Sequence, residues 1–134
     1  MRMRMSEPFA AQDALLFFEK SPAAFALYEG FARKLLAAFP DTRVRVQKTQ
    51  ITFSNRHGFG CVSQMRVRKK AELPDPCIVV TLGLPAPLDS PRVAAQTEPY
   101  PGRWTVHIVL GAPGEIDDEL LGWVRQAYEF AQWK

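Results

Sequence analysis

The chain has 134 residues with a formal charge of +3, and is 47% hydrophobic, 11% aromatic and 23% charged. That length suits a single domain, 1–134, with a real apolar core, and the composition excludes a disordered or fibrous polymer. No apolar run approaches the roughly 20 residues that span a bilayer, Met1-Arg2-Met3-Arg4-Met5 has no apolar segment behind it, and two cysteines make no disulfide framework, so a reduced, cytoplasmic protein without a signal peptide is expected.

Residues 1–9 are expected to be disordered. Residues 10–19 carry Ala14, Leu15, Phe17 and Phe18 and predict a short helix. Ser21-Pro22 reads as an N-cap followed by a proline in the first turn. From there Phe25, Tyr28, Phe31, Ala32, Leu35, Leu36 and Phe39 keep helical spacing until Pro40-Asp41 stops it.

The period then becomes two. Val44 and Val46 alternate with Arg43, Arg45 and Gln47, and Ile51 and Phe53 resume on the other parity. No Gly, Pro or Asn interrupts Lys48-Thr49-Gln50, so one long strand over 43–54 with a β-bulge is expected there rather than a tight hairpin. Asn55-Arg56-His57-Gly58 predicts a turn. A second strand over about 59–68 would put Phe59, Cys61, Met65 and Val67 on one face, and residues 77–84 predict a third. Pro85, Pro87, Pro91, Pro99 and Pro101 break any period over 85–103, which reads as a long proline-rich loop of the kind that often serves as a lid or binding loop. Trp104, Val106, Ile108 and Leu110 alternate inward as a fourth strand. Asp117 can cap a last helix with Asp118 and Glu119 at its positive end, and Ile116, Leu120, Val124, Ala127 and Ala131 form its buried stripe.

The order predicts an α+β, two-layer domain: a mostly antiparallel four-to-five-stranded sheet, with two N-terminal helices and one C-terminal helix on one face. Alternation then fixes the other face. Arg43, Arg45, Gln47, Thr52 and Ser54 would lie on it, with Val62, Gln64, Arg66 and Arg68 from the second strand, Val79 and Thr81 from the third, and Thr105, His107 and Val109 from the fourth. An antiparallel sheet commonly has one ordinary solvated face. Against that stands the cluster of Arg43, Arg45, Arg66 and Arg68, whose mutual repulsion an anionic partner would relieve. Residues 1–70 hold 13 Lys and Arg against 5 Asp and Glu, and residues 71–134 hold 4 against 9. That asymmetry fits two halves that attract each other on folding, or a surface for anions.

Metal and nucleotide motifs are absent. Cys61, Cys77, His57 and His107 lack close ligand spacing, so no metal and no cofactor are expected and the thiols read as buried structural groups. Gly58-Phe59-Gly60 leads into a strand and lacks a third glycine. His107 has no carboxylate partner in sequence reach, so it reads as a structural histidine. Lys48, at the parity slip, is the residue a bulge would re-aim.

Several runs taken together resemble the bacterial family known as domain of unknown function 5655: Val46-Gln47-Lys48-Thr49-Gln50-Ile51-Thr52-Phe53 and Phe59; Ile78 to Leu84; Ser90-Pro91-Arg92; Pro101-Gly102-Arg103-Trp104-Thr105-Val106-His107; Ile116 to Trp123; and Ala127-Tyr128. The likeness runs from about Phe17 to the C-terminus. It implies a small protein that stands alone or is appended to other modules, some of them nuclease-like, with no established activity and no catalytic residue to carry over. It sets Lys48, Arg92, Arg103, Trp104, His107 and Tyr128 at recurrent positions of the family, and Val106 stands where that strand's second histidine is expected.

The leading expectation is a non-enzymatic domain that binds an anionic small molecule or an acidic partner segment on the basic sheet face. Lys48 would be the central charge, Arg45, Arg66 and Arg92 the clamp, Trp104 and His107 the wall, with Tyr128 beside them; arginine forks suit carboxylate or phosphate. An accessory nucleic-acid-binding module is the second expectation, opposed by the modest charge and the lack of stacking aromatics among the basic residues. A small enzyme using His107 and Lys48 is the third.

Overall fold

A computed structural model describes residues 11–133, and the expected disordered segment 1–9 lies outside the described residues. The elements are α1 (Ala11–Phe17), α2 (Pro22–Ala38), β1 (Arg43–Val46), β2 (Ile51–Ser54), β3 (Gly58–Ser63), β4 (Ile78–Leu84), β5 (Val93–Tyr100), β6 (Arg103–Leu110) and α3 (Asp118–Trp133), with short 3-10 turns at Lys70–Glu72 and Pro113–Glu115. The strands form a six-stranded antiparallel sheet in the order β1-β2-β3-β4-β6-β5. The helices pack on one face of it, so the α+β architecture holds with more strands than the four or five expected.

Local chemistry starts and stops the helices. Ser21 Oγ accepts from the Ala24 amide at 3.4 Å, with Pro22 in the first turn, where its missing N–H costs nothing. Asp117 Oδ1 accepts from the Leu120 amide at 3.0 Å and caps α3. The layers meet through Phe18, Tyr28, Phe31, Phe53 and Phe59, all essentially fully buried. Tyr28 stacks on Phe53 at 6.4 Å and Phe31 meets the same ring edge-on at 5.8 Å, which couples α2 to β2. Burial of each such ring contributes about 1.5–3 kcal/mol.

Three local expectations change. Residues 43–54 are a hairpin and not one bulged strand: Val46 pairs with Ile51, and the Gln47 amide donates to the Gln50 carbonyl at 2.8 Å. Connections of four residues are most often built around a type I turn, which accepts most residue types, so a glycine is not required. Side chains take over the role of the turn residues: Gln50 Nε2 donates to Thr52 Oγ1 at 2.9 Å, and Thr52 donates to Gln47 Oε1 at 2.6 Å. Lys48 therefore sits exposed in a turn instead of being re-aimed by a bulge.

The bulge lies one strand later. Phe53 pairs with Gly60 and Ser54 with Gly58, leaving Phe59 as the extra residue of β3. Phe59 and Val62 both reach the core, and Cys61 turns to the open face; the expected faces of Cys61 and Val62 are exchanged. β3 ends at Ser63, so Arg66 and Arg68 lie on the connection to β4 and not on a strand.

The third change is β5. The proline-rich region is a loop only over 85–92; residues 93–100 are an edge strand, hairpinned to β6 through Pro101 and Gly102. Gly102 has φ +74°, the conformation the second corner of such a turn requires. The Gln96 amide ties the preceding loop down, accepting from the Leu88 amide and donating to its carbonyl, both at 3.0 Å.

Candidate functional site

The residues expected to form one recognition surface are spread over the molecule. Arg45 and His107 do share the sheet face that the helices leave open, in the cross-strand row Arg45–Thr52–Cys61–Thr81–His107. Four strand spacings separate them, roughly 19 Å at about 4.8 Å each, too far for one small ligand. Trp104 differs in parity from His107 and packs against the core on the other face. Lys48 is in the β1–β2 turn and Arg66 on the β3–β4 connection.

Arg92 is engaged within the fold. Its guanidinium donates to Asp117 at 2.9 and 3.1 Å, to Glu119 at 2.9 Å and to the Glu115 carbonyl at 2.6 Å, and lies 5.5 Å from the centre of the Trp123 ring. This clasp fastens the approach to β5 onto the start of α3. The Leu120 amide bond, then Arg92, holds the Asp117 carboxyl below its ordinary value.

The open face itself is half covered. Val79 points away from the helices and is still only 1% exposed. The β3–β4 connection crosses that end of the sheet, where Leu73 and Pro74 line a cavity with Val109 and Ala94. At Gly111 a Cβ would come within 2.5 Å of the Pro74 ring, so only glycine admits this approach. The other end stays open as a shallow groove of about 230 Å³ along Gly58, Cys61, Thr81, Gly83 and Thr105. Thr81 Oγ1 and His107 Nδ1 are 2.8 Å apart. Burial lowers the His107 pKa and raises that of Cys61, which Thr81's hydrogen bond partly offsets. Both cysteines are free, and they are half-buried where buried structural thiols were expected.

A second cavity, of about 650 Å³, lies at the end of the sheet between β1, the β2–β3 turn and the end of α3. Asp41, Arg43, Asn55, Arg56 and Gln132 line it. Its walls are braced by Tyr128, whose ring stacks on Phe39 at 4.4 Å and meets Phe59 edge-on at 5.4 Å. Asn55 Nδ2 donates to the Tyr128 carbonyl at 2.8 Å, and the Tyr128 hydroxyl donates to the Asp41 carboxylate at 2.7 Å. That bond to Asp41 holds the phenol above its ordinary pKa. Among the described residues no ion pair engages Arg43 or Arg56. The cavity thus sets two uncommitted guanidiniums against one carboxylate already bonded to a tyrosine. Arg43 was legible as an outward-facing strand residue; Asn55, Arg56 and Gln132 carry no sequence signal, because a turn and a helix end meet there only in the fold.

Among the described residues no three His, Cys, Asp or Glu side chains gather as a metal set would require, and no helix is long and apolar enough to cross a membrane.

The model of the family described as "Domain of unknown function (DUF5655)" matches residues 16–131, nearly the whole chain. The chain belongs to that family. No curated protein and no solved structure shows a match.

Proposed function

We propose that this chain is a non-enzymatic binding domain for a small molecule bearing a carboxylate or phosphate, taken up in the cavity of Arg43 and Arg56. The observation that supports the reading is the pair of guanidiniums left without a carboxylate partner in a cavity whose Asp41 and Asn55 walls are tied to Tyr128. Guanidinium forks bind planar and tetrahedral oxyanions through paired N–H donors, which an exposed lysine such as Lys48 cannot do. Preorganised walls also reduce the ordering cost of binding.

Titration calorimetry with inorganic phosphate at low salt tests this. Saturable binding is expected, weakened at least about fivefold by either Arg43→Gln or Arg56→Gln and unchanged by Arg66→Gln. No saturable heat, or equal loss in all three variants, overturns it. If a single-stranded oligonucleotide binds far more tightly than phosphate, with a steep salt dependence, the domain is instead a nucleic-acid module.

A further inference from the structure

On the open sheet face, three adjacent strands bring a thiol, a hydroxyl and an imidazole into one row. Cys61 of β3 is the register partner of Thr81 of β4, and Thr81 is that of His107 of β6. Thr81 Oγ1 lies 2.8 Å from His107 Nδ1 on one side; on the other it is the cross-strand neighbour of Cys61, where its hydroxyl favours the thiolate and partly offsets the rise that burial gives the thiol. The bulge at Phe59 is what turns Cys61 to this face, and the glycines at 58 and 83 leave an open groove beside the thiol. A hydroxyl both donates and accepts, so Thr81 can take a proton from sulfur while giving its own to nitrogen. This is the arrangement of a nucleophile with its base, the base being held through an intervening group.

We propose that Cys61 is a site of thiol–disulfide exchange with small disulfides, with the Thr81 hydroxyl passing its proton to His107. The Cys61 S–H proton moves to Thr81 Oγ1 as the Thr81 proton moves to His107 Nδ1. The Cys61 sulfur attacks one sulfur of the disulfide, the S–S bond breaks, and its electron pair leaves with the departing thiolate. The imidazolium then returns its proton to that thiolate. Cys61 ends as a mixed disulfide, and the disulfide itself is the oxidant. The resting state is a thiol and a neutral imidazole, so the base acts during the attack and no ion pair precedes it. The strands on either side of β6 present Thr81 and Ala95 to His107, neither of which titrates, and burial rather than any charged neighbour sets the direction of its shift; Arg68, from the β3–β4 connection, reaches the Val93 carbonyl at 3.4 Å on the β5 side.

The test uses the full chain with Cys77→Ser, so that one thiol reports, and follows thiolate release from 5,5′-dithiobis(2-nitrobenzoate). The second-order rate is expected to fall at least about tenfold with Thr81→Val and with His107→Gln, and to return to within about twofold with Thr81→Ser. In the parent the rate should carry an additional fall at acid pH, as His107 takes up a proton, that His107→Gln lacks. Cys61→Ser should release nothing. If Thr81 and His107 only pack the face, their substitution uncovers the thiol and the rate rises. An unchanged or faster rate, or loss of reaction that Thr81→Ser does not restore, overturns the proposal.

Discussion

His107 sits half-buried with a hydroxyl for company and no carboxylate beside it, and burial lowers its pKa below the ordinary 6.5. The linkage follows directly. As pH falls from about 7 the unfolded chain takes up the proton first, so stability declines with falling pH until the folded imidazole titrates too, and then levels off. The cost is absent above the ordinary histidine pKa. Urea midpoints should therefore be lower at about pH 5.5 than at about pH 7.5, and His107→Gln should flatten the difference. An equal pH difference in the variant would mean another group carries it. The sequence placed His107 on the correct face, since strict alternation over 104–110 needs nothing but parity. It could not show Thr81 as its partner, because β4 and β6 are neighbours only in the folded order.

At the level of elements, the joints decide the stability. Arg92 holds two carboxylates and one carbonyl where β5 and α3 approach each other, and its own side chain is 22% exposed while Asp117 and Glu119 are 45% and 56% exposed. Charged hydrogen bonds of this kind are discounted by solvent, which brings the expected cost of Arg92→Gln to about 1–2 kcal/mol. Arg92→Lys should recover less than half of it, because an ammonium cannot span partners arranged for a planar fork. Chemical denaturation of both variants checks this, and full recovery by lysine would reduce the clasp to simple charge. The helices and the strands β4 and β6 were legible because each repeats one period long enough to be seen. The β1–β2 hairpin was not: its turn is closed by Gln47, Gln50 and Thr52 side chains, which carry none of the usual turn signature. β5 was hidden for another reason. As an edge strand with shifts in register at both ends it shows no alternation, and its prolines, Pro101 of the Pro101-Gly102 turn included, read as part of one long loop.

Over the whole molecule, no ion pair among the described residues joins the basic first half to the acidic second half. The ion pairs among the described residues join Arg33 to Glu29 and Arg92 to Asp117 and Glu119, each within its own half. The attraction between halves expected from charge counting thus gives way to packing: an apolar core joins the layers, and Arg43, Arg45, Arg56 and Arg66 remain exposed. Salt separates these two contributions. Raising sodium chloride from about 0.05 to about 0.5 M shortens the screening length from roughly 14 Å to roughly 4 Å. Phosphate binding at Arg43 and Arg56 should weaken by at least about fivefold over that range. The melting midpoint should move by less than about 2 °C, since burial of Phe18, Phe31, Phe53 and Phe59 does not respond to screening. A midpoint that shifts by many degrees while phosphate affinity holds would mean that charge holds the fold together and leaves none free for a ligand.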